Sequence, residues 1–295
     1  MSISKQLEAK VREVEAILNR YIPKEEGHQK TVIQAMNYTL QAGGKRIRPL
    51  LMYETYKKFG GTDTVIEPFM AAIEMIHTYS LVHDDLPALD NDDYRRGRKT
   101  AHIVFGEDIA ILAGDGLLNY AFETAAKAFS MKSGDERVEQ AFQVLTRKPG
   151  IYGMIGGQTV DVEQTNHALT LEQILFIHEK KTAALLECAM MIGAILAGAT
   201  KEEIKSVEQI GREIGLAFQI EDDILDLIGT EEEIGKPVNS DERNGKTTYV
   251  SLKGMEQSKK DAERLTTTAI ERLETLRGEN PFLTQLLTYL VHRKN

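Results

Sequence analysis

Apolar residues recur at spacings of three and four along nearly the whole chain, and that repeat belongs to the α-helix. Leu7, Val11, Val14 and Leu18 set the pattern, at intervals of four, three and four. Pro23 and Gly27 then interrupt it. Further helices are predicted over 28–41, 64–84, 107–130, 135–147, 170–198, 201–228, 254–277 and 281–292. Another is entered near Pro49 and closed by Gly60-Gly61. No run of alternating β-branched residues reads as a strand. Seven prolines in 295 residues are too few to break up long helices. There is no low-complexity linker, no shift of composition and no short internal repeat. The expectation is one all-α domain over 1–295, with notable loops at 85–99 and 229–247.

Charge narrows the partners. The chain carries 36 Lys+Arg against 45 Asp+Glu, a net charge of −9. Non-specific nucleic-acid binding draws on positive charge, so that class is set aside. Any anion site must be a local basic cluster in a repulsive field. The one cysteine, Cys188, lies in the apolar run 183–199, so no disulfide can form within the chain and a small buried hydrophobe is expected. The N-terminus has no apolar signal core, and no stretch approaches the roughly 20 apolar residues of a membrane span. A soluble, cytoplasmic protein without a membrane anchor is expected.

Two aspartate-rich segments carry the chemistry. In Asp84-Asp85-Leu86-Pro87-Ala88-Leu89-Asp90, Pro87 disfavours helical geometry at Leu86, so the helix should end at the acids and Asp90 should return on a loop. Several carboxylates at one helix mouth suit Mg²⁺, a hard cation that takes few protein carboxylates and fills its shell with water and phosphate. Taken alone, this motif reads equally as a solvated acidic loop. In Asp222-Asp223-Ile224-Leu225-Asp226, Asp222 and Asp226 are four apart and share a helix face, among Phe218, Ile220, Ile224 and Leu227. Clustered carboxylates in apolar surroundings are costly unless a cation compensates them, which favours metal binding. An EF-hand is excluded. A loop begun at Asp90 has Arg95 where glycine is needed, and one begun at Asp222 has Ile224 where a ligand is needed.

Basic clusters alternate with the acidic ones. Gly43-Gly44-Lys45-Arg46-Ile47-Arg48-Pro49 is a glycine turn entering a helix, where N–H groups and cations together suit a phosphate. It lacks the Walker spacing, and alone it reads as an ordinary charged helix start. Arg95-Arg96-Gly97-Arg98 follows the first acidic motif. Lys181-Thr182, Lys236 and Gly245-Lys246 lie in the second half. His77, seven residues before Asp84, can donate to a phosphate or serve as a core histidine. His83-Asp84 lacks the further histidines of a metal phosphohydrolase. Asp115, between Leu112 and Leu118, is expected as a buried structural polar group.

These segments, together with Gly153-Met154-Ile155-Gly156-Gly157-Gln158 and Phe218-Gln219-Ile220-Glu221 before the second acidic motif, resemble the trans-isoprenyl diphosphate synthases, most closely the bacterial farnesyl diphosphate synthases. The match runs in the expected order from about residue 30 to 250. The resemblance implies an all-α fold around a central cavity and a homodimer. It implies that Asp84 and Asp90, with Asp85 as an outer carboxylate, bind Mg²⁺ from one wall. Asp222 would bind it from the other, supported by Asp223 and Asp226. Arg95, Lys181, Thr182, Gln219, Lys236 and Lys246 would help hold the allylic diphosphate. Lys45, Arg48, His77 and Arg96 would hold isopentenyl diphosphate without metal.

In that family a bulky residue five positions before the first acidic motif, with a two-residue insertion in the motif, accompanies a C15 product. Tyr79, followed by Ser80, holds that position, and Pro87 lies within the insertion. The resemblance thus implies farnesyl diphosphate. A geranylgeranyl diphosphate synthase is the first alternative. A terpene cyclase is opposed by the Asp-Asp-x-x-Asp form of the second motif and by the Lys45/Arg48 cluster. A catalytically silent regulatory subunit is opposed by the retention of every acidic and basic group.

Overall fold

The computed structural model describes residues 3–165, 167–228 and 247–291. They form two compact units, Met1–Tyr53 with Thr62–Leu145, and Glu54–Gly61 with Thr146–Asn295. No described helix is long and apolar enough to cross a membrane.

The first unit holds α1 (Ile3–Leu18), α2 (Lys30–Leu40), most of α3 (Ile47–Lys58), α4 (Glu67–Asp84), α5 (Ala101–Phe105), α6 (Glu107–Met131) and nearly all of α7 (Glu136–Arg147). Leu7, Val14 and Ile17 form the buried side of α1. α4 is the centre of this unit. Pro68 stands in its first turn, where a missing N–H costs nothing. Phe69, Met70, Ile73 and Ile76 on it are fully buried. Each such side chain contributes about 1.5–3 kcal/mol of apolar burial, so α4 is a rigid support for whatever its C-terminus carries.

One element departs from the all-helical expectation. β1 (Tyr94–Arg95) pairs antiparallel with β2 (Arg98–Lys99), in the register Tyr94 to Lys99 and Arg95 to Arg98. Arg96 and Gly97 between them have φ of 53° and 71°. Both central residues thus have the positive φ that a type I′ hairpin turn requires. A strand of two residues is too short to show an alternating pattern in the sequence.

The second unit holds α8 (Met154–Glu163), α9 (Leu171–Ile177), a π-helical segment His178–Ala183, α10 (Ala184–Leu196), α11 (Lys201–Ile228), α12 (Tyr249–Lys253), α13 (Met255–Thr275) and α14 (Pro281–Val291). The helix predicted over 170–198 is thus one helical run with a π segment inside it. Thr170 opens it with a reciprocal capping box to Gln173. Every residue of α10 is buried, including Cys188, whose thiol burial pushes far up. The helix predicted over 254–277 begins at Met255, and Gly254 (φ 75°) separates it from α12. Around α11, Ile174, Ile220, Ile224, Tyr249, Val250 and Ala262 form one apolar cluster, which ties α9, α11, α12 and α13 together.

Candidate active site

In the first unit the glycine turn is built from positive φ. Gly43 has φ 78°, Gly44 126° and Arg46 47°. Gly44 needs glycine because L side chains rarely adopt its φ; the Arg96 guanidinium carbon, at the movable end of its side chain, would lie 2.7 Å from a Cβ there. Arg96 donates from Nη1 to the Gly43 carbonyl, which ties the hairpin turn to the glycine loop. Lys45 is exposed and Arg46 buried.

Four arginines surround His77 electrostatically. Burial first, then the charges of Arg48, Arg96, Arg95 and Arg46, push its imidazole well below the usual range, so the ring is neutral. A neutral ring keeps one N–H to donate. Arg48 is pushed down to about 10, mainly by burial, with Arg96 adding to the fall and Glu74 opposing it. It remains a cation at neutral pH, and its buried Nε has no hydrogen-bond partner. A cluster of arginines with an orphaned donor is a site made for a polyanion.

The first acidic motif closes this unit's site. α4 ends at Asp84, as Pro87 predicts. The chain then turns back, and the Asp90 N–H donates to the Asp84 carbonyl at 2.9 Å. Asp90, exposed, is thereby returned to the helix mouth. Asp85 is buried and accepts from Arg95 Nε at 2.6 Å. Burial raises its carboxyl to about 6, although Arg95 opposes the rise. Arg95 also reaches Asp92 at 3.4 Å. Five residues before Asp84, Tyr79 is buried and its phenol oxygen has no hydrogen-bond partner. Burial and the charge of Asp84 push that phenol up to about 12. Its ring meets that of His83 edge-on at 5.8 Å. Ser80 donates to the His77 carbonyl at 2.9 Å. Asp115 corrects an expectation. It is exposed, 3.9 Å from His83 Nε2, because it falls on the outer side of α6 while Ala113, Gly114 and Leu117 take the buried side.

In the second unit a cavity of about 190 Å³ is lined by Asp161, His178, Lys181, Thr182, Gln219 and Asp222, among others. Gln219 and Asp222, three apart on α11, share it as their spacing predicts. Lys181 and Thr182 come from the π segment; such segments widen a helix by one residue per turn and often occur at functional sites. Gly157 of α8 explains the glycine-rich motif beside it. A Cβ there would lie 2.2 Å from the Lys181 backbone nitrogen, so only glycine lets α8 approach the π segment this closely. Lys181 Nζ donates to Asp161 at 2.7 Å, and the Thr182 hydroxyl donates to the side-chain Oε1 of Gln219.

The three acids of α11 are placed differently. Asp222 opens to the cavity. Asp223 is buried and accepts the Tyr249 N–H at 2.7 Å, with His178 Nε2 4.0 Å away. Asp226 is 1% exposed. Burial pushes His178 down to about 4, with Asp161 opposing. Asp161 and His178 are site residues that sequence reasoning missed. The signal for Asp161 was its place three residues after Gln158, one turn on in the same glycine-rich segment. Lys236 and Lys246 lie outside the described residues.

The donor set fits a hard divalent cation. Among the described residues no three His, Cys, Asp or Glu side chains form a ready-made cage. Mg²⁺ asks for no such cage, because it takes one or two carboxylates with water and phosphate oxygens. Asp84, Asp90 and Asp222 are the more exposed acids of the two motifs, while Asp85 and Asp223 are buried and accept from protein donors, Asp223 also lining the cavity.

Comparison with known proteins agrees with this chemistry. Residues 29–279 match the model of the polyprenyl synthetase family. A farnesyl diphosphate synthase of Geobacillus stearothermophilus is 46% identical over 257 residues, 85% of this chain and 84% of that one. A geranylgeranyl diphosphate synthase of Cyanophora paradoxa is 44% identical over 283 residues, 96% of this chain and 93% of that one. A geranyltransferase from Helicobacter pylori, crystallised with magnesium and isoprenyl diphosphate, superposes with a TM-score of 0.83 at 32% identity, covering 99% and 97%. A chain that is mostly helical over its described residues, and whose acidic and arginine clusters lie within a family match of this extent, belongs to the polyprenyl synthetase family.

Proposed function

We propose that this chain is a prenyltransferase that joins isopentenyl diphosphate to dimethylallyl diphosphate and then to geranyl diphosphate, giving (E,E)-farnesyl diphosphate. The observation that carries the reading is the pairing of acids with cations in each unit. In the first unit Arg95 is ion-paired with Asp85, next to Asp84, and Arg48, Arg96 and Arg95 act together on His77. Lys181, Thr182 and Gln219 share one cavity with Asp222.

The two diphosphates are bound in different ways. Lys45, Arg48, Arg96 and neutral His77 hold isopentenyl diphosphate directly, and Arg48 Nε finds there the acceptor it lacks. Asp84 and Asp90 in the first unit and Asp222 in the second would hold Mg²⁺, with Asp85, Asp223 and Asp226 supporting them. When bound, Mg²⁺ supplies the positive charge that helps the allylic diphosphate depart. Lys181 and Thr182 bind the allylic diphosphate, a role that the family resemblance assigns to Arg95 as well, and the fixed cations are most useful where negative charge develops as the C–O bond breaks. The isopentenyl double bond attacks the allylic cation, and the departing diphosphate takes the proton then lost. No protein nucleophile is needed. Holding both substrates in place supplies much of the remaining acceleration. The magnesium and isoprenyl diphosphate in the Helicobacter pylori relative support this reading.

Tyr79 is proposed as the floor for the growing chain, since it is bulky, buried and five residues before Asp84. The geranylgeranyl reading stays as the second, because a relative of that name matches nearly the whole chain. We place the enzyme in the cytoplasm as a homodimer, each chain one polyprenyl synthetase domain. The test is incubation with isopentenyl diphosphate, each allylic diphosphate and Mg²⁺, then chromatography of the dephosphorylated products. A C15 alcohol is expected. A main C20 product overturns the farnesyl reading alone, and no condensation with any primer overturns the enzyme.

A further inference from the structure

Within the glycine turn, the residue between the proposed phosphate ligands points the other way. Lys45 is exposed, whereas Arg46 is 5% exposed. The Arg46 backbone is left-handed, at φ 47°. A non-glycine residue stays in that region only where its surroundings hold it. Here the hold is a fork. Nη1 donates to Glu74 at 2.7 Å and Nη2 to the Leu40 carbonyl at 2.6 Å. Nε lies 3.7 Å from Glu15. Glu74 is 1% exposed, on α4, three residues before His77. A buried carboxylate left without its partner is heavily penalised, so Arg46 and Glu74 hold each other in one geometry. Both ends are anchored, one in the most buried helix of this unit and the other in the loop that carries Lys45 and Arg48.

We infer that Glu74 is a positioning residue for the homoallylic diphosphate. By gripping the Arg46 fork it fixes the left-handed turn that presents Lys45 and Arg48, so the loop is formed before substrate arrives. The inference rests on the assignment of Lys45, Arg48, His77 and Arg96 to isopentenyl diphosphate. Glu74 also faces Arg48 and Arg96 electrostatically, and removal of its charge would strengthen the pull on any anion. Only substitutions that keep the charge isolate the positioning effect.

Glu74→Asp shortens the acid by one methylene, and Arg46→Lys removes the fork while keeping a cation. Steady-state rates are measured with each substrate varied in turn, together with thermal unfolding. Each single variant is expected to raise KM for isopentenyl diphosphate by about tenfold, as expected for loss of one charge-assisted contact. KM for the allylic substrate and kcat at saturation should stay within about twofold of the parent. The double variant should be no worse than either single one, because both remove the same contact. Lys45→Ala is the control for the site itself. If it leaves KM for isopentenyl diphosphate unchanged, the site assignment has failed. If it raises that KM while Glu74→Asp and Arg46→Lys do not, the positioning role is overturned. A loss of kcat and of both affinities in step with the unfolding temperature overturns it as well, in favour of a purely structural pair. Should Glu74→Asp fail to fold, Arg46→Lys decides by the same readouts.

Discussion

The two acidic motifs have similar sequences and different architecture. The first sits where α4 breaks off, and its third acid returns through a loop, with the Asp90 N–H on the Asp84 carbonyl. The second stays helical through Ile228, so its acids lie on successive turns of one side of α11. In both, the middle aspartate serves the protein. Asp85 accepts from a side chain, Arg95, and Asp223 from a backbone N–H, Tyr249, at the start of α12. The difference teaches that Asp-Asp pairs are not two equal ligands. One acid of each pair is the more exposed, and its neighbour anchors the segment that follows.

The largest effect should come from the outward acids. Asp84→Ala and Asp222→Ala are each expected to lower kcat by about a thousandfold with the fold retained, the scale of losing charge stabilisation where the leaving group departs. Single-turnover rates and circular dichroism check this. A collapse in only one of them breaks the symmetry between the motifs. The residues upstream sharpen it next. Five before Asp84 stands Tyr79, and five before Asp222 stands Ala217, both buried. Only the α4 side thus carries a bulky group there. Tyr79→Ala should lengthen the products beyond C15 and cost about 3 kcal/mol of stability through the cavity left. Unchanged product length would remove Tyr79 as the floor.

The inward acids should differ from each other by less. Asp223→Ala leaves the Tyr249 N–H buried without its acceptor, at a cost of about 1–3 kcal/mol. Asp85→Ala releases Arg95, which is a third exposed and retains Asp92, so the expected cost is below about 1 kcal/mol. Urea unfolding of the pair measures the gap, and equal losses would deny that the second motif is the more deeply built-in.

Much of this was legible in the sequence, for identifiable reasons. Long helices show themselves by a repeat that many residues share, so α4, α6 and α11 were found nearly to their ends. Pro87 announced the break after Asp85, because a proline constrains its predecessor's backbone. α8 was missed. Its glycines argue against a helix locally, and the helix exists because Gly157 lets it pack onto the Lys181 backbone. The π segment differs from α-helix only in which carbonyl each N–H meets, and no residue type declares that. Glu74 was invisible among the apolar residues of α4, since its meaning depends on Arg46, 28 positions earlier. Asp115 misled because its neighbours are apolar, and one position's shift around a helix turns a side chain from core to solvent.

The finest test separates the ring of Tyr79 from its hydroxyl. The ring fills space and meets His83 edge-on, while the hydroxyl is buried with no hydrogen-bond partner. An unmet buried hydroxyl costs free energy that the unfolded chain recovers from water. Nothing at the corresponding place before the second motif carries such a group, since Ala217 has no polar atom to satisfy. Tyr79→Phe keeps the volume and the ring contact and removes only the unmet oxygen. It should therefore raise stability by about 1 kcal/mol. If bulk makes the floor, the product should stay C15. If the phenylalanine variant makes longer chains, the hydroxyl and not the ring sets the length. If it is less stable, the oxygen has a partner in the working enzyme, and the α4 side of the site is wetter than its burial indicates.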